Sequence, residues 1–116
     1  MINDDLPKGL STAALDELKL EHGEIHIIRH PDDAYPSVLV KLPKRVEYNR
    51  FKSEIGNDRK AVSEKALEGF FKRHVVYPSR EELEVVLETY PALTDAYGKK
   101  LLELIGMSEV TESKKL

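Results

Sequence analysis

The chain contains no cysteine. Disulfides, thiolate metal sites and a cysteine nucleophile are therefore excluded, and a reducing, cytoplasmic setting is expected. Long apolar runs are also missing. None exceeds four residues, against the ~20 needed to cross a bilayer, so no membrane partner is expected. The opening residues, MINDDLPKG, are acidic and lack the apolar core of a signal peptide. No serine sits in a Gly-x-Ser-x-Gly elbow, and no glycine-rich loop is spaced to cradle a phosphate. The expectation is a protein without catalytic machinery or cofactor.

What is present suits one small domain of 116 residues, large enough to bury a core without staples. The net charge of −3 gives no global pull toward nucleic acid. Its distribution is uneven. Residues 1–40 carry 3 basic and 8 acidic side chains, residues 41–74 carry 10 and 5, and residues 75–116 carry 5 and 8. The basic middle reads as solvated helix faces. Tyr48, Phe51, Phe70 and Phe71 interleave with it, as aromatics do in single-strand binders. They fall on inward stripes, however, and core packing explains them better. A nucleic-acid-binding regulator using Lys41–Arg73 is the third-ranked function class.

The chain is most legible over Val75–Leu93, VVYPSREELEVVLETYPAL. Pro78 disfavours helix at Tyr77, because its ring crowds the preceding residue. Ser79 and Glu82 have capping-box spacing and open a helix. Leu83, Val86, Leu87 and Tyr90 follow at helical spacing, and Pro91 stops the run.

The remaining elements follow from similar signals. Residues 1–10 read as a flexible lead-in. Ser11 or Thr12 caps a short helix that ends at His22-Gly23. Glu24–His30 alternates as a strand, with Ile25 and Ile27 on one face and His26, Ile28 and His30 on the other. Pro31–Pro36 is a turn-rich connection. Ser37–Leu42 is a second strand, with Val38, Val40 and Leu42 on one face. An antiparallel hairpin is the simplest pairing, and one of its faces must pack on helices. Pro43–Gly56 places proline first and glycine last, the favoured helix asymmetry, with Tyr48, Phe51 and Ile55 on a side. Asp58 caps a helix over Arg59–His74, whose stripe is Val62, Ala66 and Phe70, widened by Leu67 and Phe71. The last helix, Ala92–Ile105, carries Leu93, Tyr97, Leu101, Leu104 and Ile105 inward. Gly98 within it costs about 1 kcal/mol relative to alanine, which points to close packing. Residues 107–116 read as a polar tail. The fold class is α+β: an N-terminal short helix and β-hairpin followed by a bundle of about four α-helices, all in one domain over residues 11–106.

Two constellations invite a chemical reading. His22, His26 and His30 recur every four residues, but two of them lie in a strand that rises ~3.3 Å per residue. A single zinc with ~2 Å bonds cannot bridge that span, so no metal is expected. His74 at a helix end suits the helix dipole. Glu81, Glu84 and Glu88 share the helix face opposite the apolar stripe and read as a solvated surface rather than a catalytic pair.

The order of features resembles small bacteriophage tail assembly chaperones and related short tail-gene proteins. The residues that carry the resemblance are LPKRVEYNRF at Leu42–Phe51, HVVYPS at His74–Ser79, YPAL at Tyr90–Leu93 and LELIG at Leu102–Gly106. Relatives of that kind show an "RPTRAEYDRF"-like helix, a "CVVYP" step, a "YPAL" step and an "ELAG"-like end. His74 stands where many of them have cysteine. The resemblance implies a non-enzymatic protein that binds the tape measure protein, or other tail proteins, in the bacterial cytoplasm. Its runner-up is a structural virion subunit for tail completion, baseplate or connector. No binding motif of such proteins transfers residue by residue. Candidate partner-binding residues are therefore chosen by position: Tyr35 in the hairpin turn, and Tyr48, Phe51, Tyr77 and Tyr97 at helix edges. Apolar stripes on the later helices leave self-association as a homo-oligomer open.

Overall fold

Val40 is fully buried, and the strand that carries it is the middle one of a three-stranded antiparallel sheet. The computed structural model of the chain describes residues 6–7, 9–32, 34–55, 61–107 and 113–115. In chain order the elements are α1 (Thr12–His22), β1 (Ile25–Ile28), β2 (Val38–Lys41), α2 (Arg45–Ile55), α3 (Ala61–His74), β3 (Val75–Tyr77), α4 (Arg80–Thr89) and α5 (Leu93–Leu104). The fold class is α+β. The expected helix stop at Gly56 and cap at Asp58 lie outside the described residues, as do the side chains of Ile55 and Val62. Most of the lead-in over residues 1–10 and most of the tail over 107–116 also lie outside them.

One element departs from the sequence reading. Val75–Tyr77 was expected only to lead from one helix to the next, yet it forms a third strand beside β2. Leu39 pairs with Tyr77 and Val40 with Val75, with a register irregularity between the two pairs. The hairpin itself pairs as expected, Ile28 opposite Val38 and Ile25 opposite Lys41. With partners on both sides, β2 is more deeply buried than simple alternation implies: Val38, Leu39 and Val40 are all inside. An edge strand is buried less, and in β1 only Ile28 is fully covered.

The main core lies between one face of the sheet and the helices. Phe51 from α2, Ala66, Phe70 and Phe71 from α3, Leu83 and Leu87 from α4, and Leu93, Tyr97, Leu101 and Leu102 from α5 meet Ile28, Val38 and Val40. Leu15 on α1 and Leu39 are buried apart from that cluster, and α1 packs against β1. α3 is the central helix and packs on both α2 and α5. Where α3 meets α5, Gly98 permits the approach, because a Cβ there would stand 2.9 Å from Leu67 Cγ.

The caps follow the local chemistry. Ser11 Oγ accepts from Ala14 N, and Ser79 Oγ accepts from Glu82 N. The end of α5 is a Schellman turn: Gly106 N donates to the Glu103 carbonyl and Met107 N to that of Leu102. Gly106 makes this possible by taking φ +108°, which a side chain would resist.

Candidate functional site

Helix α4 presents two stripes. Leu83 and Leu87 point into the core, while Glu82, Val86 and Tyr90, spaced four residues apart, line a cleft beside it. The cleft has a volume of about 860 Å³. Its second wall is the hairpin connection, from Ala34 to Ser37, with Arg29 and His30 at the end of β1. Tyr77 and Pro78, joined by a cis peptide, border it where β3 meets α4. Leu6 and Pro7 form the N-terminal margin.

Short-range bonds fold the connection so that Tyr35 faces α4. Asp32 N donates to His30 Nδ1, and Asp32 Oδ1 accepts from Ala34 N, each at 2.9 Å. Tyr35 N donates to the Asp32 carbonyl. This Asx turn sets the Tyr35 ring between His30, 4.4 Å away by centroids, and Tyr90, 5.0 Å away and nearly edge-on. From behind, the Tyr97 hydroxyl donates to the Pro36 carbonyl at 2.6 Å, which ties the connection to α5. Burial raises the Tyr97 phenol above its ordinary pKa, and a backbone contact at His30 offsets part of that rise.

The lining thus combines three tyrosines, three prolines, Val86 and Leu6 with one cation, Arg29, and one carboxylate, Glu82. Tyrosine offers a flat apolar face and a hydroxyl at its edge, a combination suited to packing against a chain while bonding its backbone. Aromatic-lined grooves with such rings take extended apolar or proline-containing segments.

Of the residues chosen from sequence, Tyr35 and Tyr77 meet at this cleft. Phe51 and Tyr97 are core residues, 5% and 3% exposed, and present no free surface. Tyr48 is half-buried elsewhere, stacked near Phe51 with the Lys52 ammonium over its ring. Sequence reasoning missed Tyr90, His30, Pro36 and Pro7. Tyr90 reads from sequence as part of the apolar stripe of its helix, but it stands at the edge of that stripe with 37% of its surface exposed. Its four-residue spacing from Val86 and Glu82 was the available signal.

Two other expectations meet the structure. Glu84 is not merely solvated. It bridges helices, with Oε1 2.9 Å from Lys72 Nζ and 3.1 Å from Arg80 Nε. Lys72 also meets Glu68 at 2.8 Å. Burial works against the Lys72 charge, but the two carboxylates outweigh it and raise its pKa, while Lys72 and then Arg80 hold that of Glu84 down. His74 is fully enclosed, and its Nδ1–H donates to the Phe70 carbonyl at 2.7 Å. Burial lowers its pKa, Lys41 and Arg73 add to that, and the Phe70 bond and Glu47 only partly oppose it. It is a neutral core histidine. Among the described residues, no three histidine or carboxylate side chains gather as a metal site, and no helix is long and apolar enough to cross a membrane.

Fold and cleft define a small α+β domain with an aromatic-lined cleft on its surface. The chain belongs to the family described as Domain of unknown function (DUF6848), whose model matches residues 18–114. It is also similar to a solved structure titled as uncharacterised protein rbstp2171 from Bacillus stearothermophilus. The two share 27% identity at a TM-score of 0.68, over 86% of this chain and 99% of that one. No curated protein matches.

Proposed function

We propose that the chain is a non-catalytic binding protein of the tail assembly chaperone kind, and that its cleft holds an apolar segment of a tape measure protein until the tail tube covers it. The observation that supports this most is the lining itself: Tyr35, Tyr77 and Tyr90 stand around an open groove on a sheet-and-helix frame. A protein that binds the aggregation-prone state of a client shifts the population away from aggregation by mass action. The motifs at Leu42–Phe51, His74–Ser79 and Tyr90–Leu93 support the same reading by resemblance.

Co-expression tests it. A tape measure protein co-expressed from the same gene cluster is expected to stay soluble and to co-purify with the chain. A client that is equally insoluble with and without the chain would sink the proposal. Mass spectrometry of finished particles is expected to find the chain absent. A fixed copy number in the particle would mark it instead as a structural subunit.

A further inference from the structure

Pro7 is buried and Leu6 half-buried, although both precede the first helix. They are held by the cleft, whose lining they join. Leu6-Pro7 forms a strap that then turns, with Leu10 N donating to the Pro7 carbonyl at 3.2 Å. Gly9 follows the same path, and a Cβ built on it would lie 3.5 Å from the Tyr77 hydroxyl. The strap also lies ahead of residue 18, where the family match begins.

From this we infer that Leu6-Pro7 is a resident occupant of part of the cleft, and that the cleft recognises an extended leucine–proline segment of a partner, which competes with the strap. The inference rests on the reading of the cleft as a client site. Its chemistry is consistent throughout. Proline has a fixed φ and no N–H, so the proline of a Leu-Pro step is ordered at low entropic cost and adds no donor that must be paired. Tyr77, Tyr90 and Pro78 offer the flat faces against which a proline ring packs. A seated strap reduces the apparent affinity for a partner by the fraction of molecules in which the subsite is filled.

The probe is a fluorescently labelled synthetic peptide with the sequence of residues 2–10, INDDLPKGL, titrated by anisotropy against the full-length chain. The doubly substituted chain, Leu6→Ser with Pro7→Ser, is expected to bind it about tenfold tighter than the native chain. Adding Tyr90→Ala is expected to abolish that gain. Pro7→Gly, a milder change, is expected to give an intermediate gain and keeps the test decisive if the double variant unfolds. Strap variants that bind no tighter than the native chain would overturn the inference, as would equal binding of a scrambled peptide. Capture of the tape measure protein separates the two proposals. Capture without peptide binding removes the strap and leaves the chaperone reading, and peptide binding without capture does the reverse.

Discussion

His74 is a buried polar side chain of the core, 2% exposed, with its ring 4.8 Å from that of Phe70. Its pKa is lowered from 6.5 by burial. The unfolded chain therefore takes up a proton at a higher pH than the folded one. The stabilising contribution is complete above the unfolded value and is lost as pH falls from about 6.5 toward the lower folded value. Melting temperatures should drop between pH 7.5 and pH 5.5, and His74→Asn, which keeps an N–H donor but does not titrate, should reduce that drop. A pH dependence unchanged in the variant would place the effect elsewhere. Tyr97 makes a second single-residue case. Tyr97→Phe keeps the ring in the core and removes the bond to the Pro36 carbonyl. The expected cost is about 1 kcal/mol, read as a fall of roughly 4 °C in thermal melting. Neither environment could be read from sequence. A histidine at a helix end suggests a dipole partner on a surface, and only the assembled fold encloses this one. Tyr97 was correctly assigned to an inward stripe, but the carbonyl that its hydroxyl meets is 61 residues away along the chain.

The helices were legible because each buries one side, so their apolar residues recur at helical spacing. Gly98 shows how far such local signals reach. Its cost in helix propensity pointed to a close approach, and Leu67 of α3 is the residue approached. Gly98→Ala should gain about 1 kcal/mol of propensity but lose more to overpacking, which typically costs ~1–3 kcal/mol. Net destabilisation on chemical denaturation is expected, and Leu67→Ala in the same chain should remove most of the overpacking loss. β3 was not legible, because three residues are too few for a period and their pairing with β2 is set by the fold as a whole. The tie between α3 and α4 was equally hidden, since Lys72 and Glu84 lie on separate helices. Lys72→Met keeps the stem of this 12% exposed side chain and removes its charge. Glu84 is half exposed, so solvent screens the pair, and only a small cost in stability is expected. That cost should shrink further in high salt.

At the scale of the molecule, the cleft is assembled from four separated stretches: the strap, the hairpin connection, the Tyr77-Pro78 step and one side of α4. Sequence reading reached Tyr35 and Tyr77 because they stand beside turn signals. It missed Tyr90 because a tyrosine at the margin of an apolar stripe is indistinguishable from a core residue until the neighbouring wall is known. Tyr35 is set by an Asx turn, and its connection is anchored to α5 through Pro36. Under the proposed function the frame supplies stability and the tyrosines supply binding, so the two should separate under mutation. The most direct test compares the tape measure protein kept soluble by the native chain with that kept soluble by the Tyr35→Ala, Tyr90→Ala double variant. The variant should fold, as judged by circular dichroism, and lose most of the captured client. A folded variant that holds the client as well as the native chain would contradict the assignment of the cleft as the client site.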